Sequence, residues 1–372
     1  MDVLIVGGGP AGLGTAIQCA LAGLEVTVAE PRPGPIDKAC GEGLMPAAVT
    51  SLAALGVAPG GHPFRGIRYL DEKHRADGFF RGGPGLGVRR TELHAALSSR
   101  ARALGVRVLP VRVTGFSQDG DCVTAAGLAA RYLVAADGLH SVIRRACALD
   151  PLPAARPRYG LRRHYRVTPW SDMVEVHWSP MAEAYVTPVA DDLVGVAILG
   201  PRTGGSAGFG KAGSGGVGPG GEGAGEGDAG EGGFGEGGFD CRLAAFPGLR
   251  ERLAGALPVG RVRGAGPLRQ DVARRTSGRV LLVGDAAGYL DALTGEGISV
   301  ALTQAAVLAR CLRADRPGDY EDAWRRASRK SRLLTSGLLW SRHSPVLARR
   351  IVPAAERLPR LFTAIVNQVA GA

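Results

Sequence analysis

The chain has 372 residues, 45% of them hydrophobic, enough to build a large core and more than one lobe. Its net charge of +11 is nearly all arginine, with lysine only at Lys38, Lys73, Lys211 and Lys330, and 5% of residues are aromatic. Without basic residues interleaved with aromatics, or a recognisable module, this pattern argues against a nucleic-acid binder and leaves a solvated surface or an affinity for phosphates or anionic lipid. Cys19, Cys40, Cys122, Cys147, Cys241 and Cys311 form no C-x-x-C pair and no zinc spacing, which predicts a reduced, cytoplasmic protein with no metal site. No apolar run of about 18 residues predicts a membrane span, and Asp2 with its following glycine turn predicts no secretory leader.

Residues 2–6 read as a buried strand, 11–23 as a helix whose Ala11, Ala16 and Ala20 permit close packing, and 25–29 as a second strand ending at Glu30. The first turn reads Gly7-Gly-Gly9-Pro10-Ala11-Gly12. In that setting Gly7 permits the tight turn, Gly9 lets backbone approach a pyrophosphate, and Gly12 lets helix and strand pack. The helix N-terminus offers unpaired N–H groups to the anion. Glu30, with Arg32 beside it, falls where a carboxylate accepts from ribose hydroxyls and repels a 2′-phosphate, so FAD rather than NADPH is expected here.

Residues 31–46 form a loop carrying Lys38-Ala-Cys40-Gly41-Glu42-Gly-Leu44; its Cys40, Gly41 and Glu42 are expected close to the cofactor, with Cys40 not read as a nucleophile. A short helix is expected at 47–56, a helix with Leu93, Leu97 and Leu104 on one side at 91–104, and strands at 106–109, 111–116 and 131–135. The last strand runs into Asp137-Gly138-Leu-His-Ser141. Short β-like runs over 158–200 predict an antiparallel sheet, with His177, Tyr185 and Thr187 as pocket liners. Nineteen of the 36 residues in 203–238 are glycine, which predicts a mobile loop. Order returns near 240, with a helical segment to 257.

A second strand–glycine–acid unit, Arg279-Val-Leu-Leu-Val-Gly284-Asp285, lies more than 250 residues beyond the first. An Asp at a strand end points a carboxylate at polyol hydroxyls. The following Leu293-Thr294-Gly295-Glu296-Gly297-Ile298 offers bare backbone to a flat ring, and its helix start would stabilise negative charge on that ring. Two such grips suit a long, extended FAD. Helices are expected at 297–314 and, rich in arginine, at 319–334. Apolar spacing over 337–369, broken near Pro345 and Pro353, reads as a helical cap or as a greasy surface for a lipid-like substrate or a membrane.

In this order, the three motifs resemble the flavoprotein family of class A aromatic hydroxylases, flavin halogenases and geranylgeranyl reductases, with the para-hydroxybenzoate hydroxylase type of fold. The resemblance implies that Asp137 and Gly138 help hold the pyrophosphate and bear on NAD(P)H, and that Asp285 binds the ribityl chain. The family's R-x-x-L-x-x-x-L pattern falls on Arg90, Leu93 and Leu97, which implies an Arg90 contact to the flavin's polar chain. Cys40, Glu42, Thr294 and Glu296 become the flavin-proximal candidates. The segment around Cys40 and Leu293–Ile298 looks more like the reductase branch, yet the reductases' tryptophan-bearing lipid motif is missing near Tyr185-Val-Thr187-Pro188. The halogenase Trp-x-Trp-x-Ile-Pro signature is absent as well.

The expected architecture is α/β: a Rossmann-like FAD-binding domain (1–157 and 260–315, with part of 45–90 contributing to the substrate lobe), an interleaved antiparallel β-sheet substrate domain (158–259), and a helical C-terminal region (316–372). The expected activity is NAD(P)H-dependent hydroxylation of an aromatic or polyketide-like secondary metabolite through a flavin C4a-hydroperoxide, with a partner reductase as another electron source. The alternatives are a geranylgeranyl reductase-like enzyme saturating isoprenoid double bonds and a non-catalytic lipid carrier.

Overall fold

The computed structural model describes residues 1–151, 154, 156–202 and 235–371. Two large sheets organise it. The first has six strands in the order Thr276–Ser277, Val280–Leu282, Tyr132–Ala135, Val3–Val6, Val26–Ala29, Arg107–Leu109. All neighbours pair in parallel except the edge strand Thr276–Ser277. Val3–Val6, Val26–Ala29 and Tyr132–Ala135 are buried throughout, as expected for a parallel sheet covered on both faces. The register aligns Val6 with Ala135 and Ala135 with Leu282. That alignment brings Gly7, Asp137 and Gly284, far apart in sequence, to one carboxyl edge of the sheet, where ligands bind in open α/β folds.

Helix Pro10–Leu21 lies against helix Gly297–Arg313. A Cβ on Gly14 would stand 2.7 Å from Leu302 Cδ2, so that glycine sets how closely the two can approach.

The second sheet has seven strands in the order Leu257–Ala265, Arg158–Arg166, Leu193–Pro201, Glu183–Ala190, Val174–Trp178, Gly66–Leu70, Arg75–Phe79. It is antiparallel except where Val174–Trp178 meets Gly66–Leu70. The C-terminal helices cover one side. Phe362 and Val366 of helix Pro359–Ala370 pack beside Gly78, and Asn367 Nδ2 donates to the Phe79 carbonyl (2.8 Å).

Several elements differ from expectation. Residues 111–116 carry no strand; Pro110 ends the preceding one and Val111 N turns back onto the Leu109 carbonyl at 2.8 Å. The arginine-rich helix runs from Tyr320 to His343, well past 334, and stops at Ser344 just before Pro345. Pro353 breaks nothing, because it sits in the first turn of helix Ile351–Arg357, where its missing N–H would have no intrahelical partner. The glycine-rich stretch is described only from residue 235, where helix Glu236–Leu243 begins at once, with Arg163 Nη2 3.2 Å from Glu236 Oε1. Residues 203–234 lie outside the described part of the chain.

Candidate functional site: a cofactor cradle opening into an apolar chamber

Two glycines of the first turn, Gly7 and Gly12, leave no room for a side chain. Gly7 has φ +107°, and a Cβ there would lie 2.5 Å from the Ala136 carbonyl oxygen. A Cβ on Gly12 would lie 1.9 Å from the Gly7 oxygen. Helix Pro10–Leu21 starts with no side-chain cap, so the turn Gly9-Pro10-Ala11 presents its free N–H groups to a cavity. Glu30 stands behind Gly8, accepting from Gly8 N (2.8 Å), Arg32 N (3.0 Å) and Arg32 Nε (2.8 Å). Burial pushes its carboxyl up, but those donors outweigh burial and hold it below the usual carboxylate range. Arg32 lies on the cavity wall and Glu30 behind it.

At the second motif, Asp137 Oδ2 accepts from Ile143 N at 3.3 Å, while Oδ1 is buried with no hydrogen-bond partner among the described residues. Burial holds this carboxyl above its ordinary range. Lys38 Nζ comes within 3.1 Å of where a Cβ on Gly138 would stand. At the third motif, Gly284 (φ +63°) passes helix Pro10–Leu21 so closely that a Cβ would lie 2.6 Å from Ala11 Cβ. Asp285 lines the cavity; burial raises its carboxyl, opposed by Lys38, Arg90 and Arg144. Arg144 ties the last two motifs together, donating to the Leu139 carbonyl (2.7 Å), the Ala286 carbonyl (3.3 Å) and Gln270 Oε1 (3.1 Å).

Arg90 begins helix Arg90–Ala103 and is buried against the first turn, with Nη2 3.7 Å from a Cβ on Gly9. Its Nη1 is buried with no hydrogen-bond partner among the described residues, and burial depresses its pKa.

Thr294, Gly295, Gly297 and Ile298 line the cavity. Glu296 does not: it accepts from Ser331 Oγ (3.1 Å) in a neighbouring void of about 60 Å³, because the helix start turns its side chain away. Cys40 is on the wall, its Sγ receiving Glu42 N at 3.4 Å; burial first, then Glu42, pushes its thiol up and keeps it neutral. Glu42 adopts the left-handed region (φ +60°) and is buried. Such backbone persists only when its surroundings over-determine it. Here Glu42 Oε1 accepts from Arg90 N (2.8 Å) and Oε2 meets His164 Nε2 (2.6 Å). Arg162 Nη1 lies 3.0 Å from His164 Nδ1, and Arg162 also pairs with Asp37. A guanidinium can only donate, so Nδ1 accepts and Nε2–H donates to Glu42 Oε2.

The cavity has a volume of about 650 Å³ and runs from the glycine motifs into an apolar chamber. Val174, Val176 and Leu199 of the second sheet form one wall, and Leu338, Phe362 and Val366 of the C-terminal helices another. Tyr185 and Thr187 line it, held by the Leu293 carbonyl (2.9 Å) and the Gly41 carbonyl (2.8 Å). His177 does not. Val174 and Val176 face the chamber, so strand alternation sends His177 to the opposite face, where it meets Glu175 Oε2 at 3.2 Å.

Lys38, Arg144, Arg162 and His164 were not singled out from sequence. Arg162 and His164 do alternate along one strand, but which loop they meet depends on the sheet's placement. An unpartnered cationic donor, an unpartnered carboxylate oxygen, an uncapped helix start and glycine-only approaches together fit a dinucleotide with a pyrophosphate and a polyol.

A family model described as "FAD binding domain" matches residues 1–162. This part of the chain is similar to FAD binding domains. Over 57 residues, 15% of the chain, it is 51% identical to menaquinone reductase of Mycolicibacterium smegmatis, covering 14% of that protein. Over 168 residues, 39% of the chain, it is 34% identical to 6-methylpretetramide 4-monooxygenase of Streptomyces rimosus, covering 40% of that protein. The matches thus span less than half of these curated relatives. The fold matches along its whole length a flavoprotein/dehydrogenase from Cytophaga hutchinsonii, with TM-score 0.82, 19% identity and 93% of that chain covered. FAD is therefore the cofactor that the cradle holds.

Proposed function

We propose that this chain is an FAD-dependent monooxygenase that takes electrons from NAD(P)H and hydroxylates a small apolar or aromatic, polyketide-like secondary metabolite. The observation that carries this reading is the continuity of one cavity, from the glycine motifs to an apolar chamber with two oriented hydroxyls, Tyr185 and Thr187. Similarity to 6-methylpretetramide 4-monooxygenase supports it.

When bound, FAD supplies two-electron reduction and, with O2, delivery of one oxygen atom to an electron-rich carbon. The protein's share is position and electrostatics. Arg90, the open helix start at Gly9–Ala11 and the Asp137–Gly138 turn would hold the pyrophosphate end, while Arg32, on the wall with Glu30 behind it, would move aside for Glu30 to accept from the adenosine ribose. Asp285 accepts from the polyol, and Cys40, Gly41, Gly295, Gly297 and Ile298 set backbone against the ring. Glu42 Oε2 and His164 Nε2 hold each other at 2.6 Å beside that backbone. The apolar walls exclude water from the reacting end.

A second reading, reduction of an isoprenoid double bond by a geranylgeranyl reductase-like enzyme, is favoured by the 51% identity to menaquinone reductase and by the leucine-rich chamber. In either case the protein works in the cytoplasm, with lipid contact through its C-terminal helices. Anaerobic mixing of the flavin-loaded protein with NADPH, then NADH, tests the electron source. Bleaching of the flavin absorbance is expected with one of them. A flavin that stays oxidised with both removes NAD(P)H from the proposal and puts a partner reductase in its place.

A further inference from the structure

The C-terminal helices, which line part of the cavity, combine two features that the flavin chemistry does not require. The first is exposed apolar surface. Six of the ten large hydrophobic side chains exposed in the described structure belong to the C-terminal helices: Leu333, Trp340, Val346, Leu358, Leu361 and Ile365. Trp340 is 70% exposed. Leu358, Leu361 and Ile365 follow helical spacing on one face, while Phe362, Val366 and Asn367 anchor the other face to the strand Arg75–Phe79. Leu333, Leu358, Leu361 and Ile365 also line the cavity, so part of this exposed surface borders its open side.

The second feature is charge. Residues 323–372 hold ten Lys and Arg against one acid, Glu356, so they carry +9 of the chain's +11. Arg349, Arg350, Arg357 and Arg360 are exposed and have no acidic partner among the described residues. Glu356 is itself turned to Arg75 N at 3.2 Å. Unpaired arginines interleaved with bare leucines and a tryptophan are the composition of a surface lying in a lipid headgroup layer: the apolar side chains enter the acyl boundary and the cations meet anionic headgroups. No helix among the described residues is long and apolar enough to cross a membrane, so such a surface would lie on the bilayer.

We propose that the face formed by Leu333, Trp340, Val346, Leu358, Leu361 and Ile365, with Arg349, Arg350, Arg357 and Arg360, docks on an anionic phospholipid bilayer and opens the cavity mouth toward it. Substrate then enters from the lipid without crossing water. The proposal goes beyond the reaction assignment and holds whether the flavin oxygenates or reduces.

The test is co-sedimentation of the full-length, flavin-loaded protein with vesicles, which needs no turnover and so fails independently of the monooxygenase reading. The protein should pellet with equimolar phosphatidylglycerol–phosphatidylcholine vesicles, stay in solution with pure phosphatidylcholine, and be released at about 0.5 M salt, where the Debye length falls to a few ångströms. Each arginine at an anionic surface strengthens binding about fivefold. The variant with Arg349, Arg350, Arg357 and Arg360 all replaced by Gln should therefore lose more than about a hundredfold in vesicle affinity while keeping the parent's flavin content. Tryptophan emission should shift to the blue on anionic vesicles, and Trp340→Phe should abolish that shift. Parent protein left in solution with anionic vesicles, equal pelleting with neutral vesicles, or a quadruple variant that pellets like the parent would each overturn the proposal. So would a dimer that Trp340→Ser dissociates, which would give the face to a second copy of the chain.

Discussion

Arg90→Met separates a cofactor contact from a structural one, because the two roles predict opposite signs. The Arg90 guanidinium is buried, its Nη1 has no partner, and burial already depresses its pKa. It also sits at the N-terminus of helix Arg90–Ala103, the wrong end for a cation. Methionine matches its length, favours helix and keeps the Arg90 N–H bond to Glu42. Without FAD, the variant should therefore be more stable than the parent, by about 1–3 kcal/mol, the usual penalty of an unsatisfied buried polar group. With FAD, a charge-assisted hydrogen bond worth about 1.5–3 kcal/mol is lost, so Kd should rise roughly 10- to 150-fold. Both are measurable on one preparation: thermal or urea unfolding of the apoprotein, and flavin-fluorescence titration. An apoprotein that becomes less stable while FAD affinity holds would refute the reasoning and make Arg90 a structural residue.

Gly12→Ala should abolish flavin retention during purification, since its Cβ would fall 1.9 Å from the Gly7 oxygen; a yellow, stoichiometrically loaded variant would contradict the cradle. Burial first, against the pull of Arg158, raises Asp291 from 3.8 to about 6. A raised carboxyl favours the folded state only while protonated, so its contribution is full below the unfolded value and lost as pH rises through about 6. By pH 7 that amounts to about 3 kcal/mol. Asp291→Asn should accordingly gain stability relative to the parent between about pH 4 and pH 7, read by urea unfolding at both, and a constant difference would contradict the assignment. Tyr185→Phe releases the Leu293 carbonyl (2.9 Å) and should cost about 1 kcal/mol of stability, with a raised KM and little loss of bound flavin.

What the sequence made legible was local. Gly7, Gly12 and Gly284 are dictated by backbone approach, and Asp137 and Asp285 follow strand ends, so each could be read from its own ten residues. The placement of side chains across elements could not. Whether Val176 or His177 faces the chamber depends on which face of its strand the C-terminal helices cover, and the alternation then decides both. Glu296 was named for its place between two glycines, but the helix that starts there turns it toward Ser331. The Glu42–His164–Arg162–Asp37 network joins the loop at 37–42 to a strand more than 120 positions away, a contact that no spacing announces. Arg144, one of two adjacent arginines just after Ser141, clamps two motifs together.

The most direct test of the account is the mass of the product. The flavin-loaded protein is incubated with NADPH under ¹⁸O₂ and a lipid-and-phenol extract of the source organism. A compound that gains one labelled oxygen atom is the result predicted. A compound that gains two hydrogens, formed equally well without O2, would contradict the monooxygenase assignment and make the protein a double-bond reductase built on the same cradle.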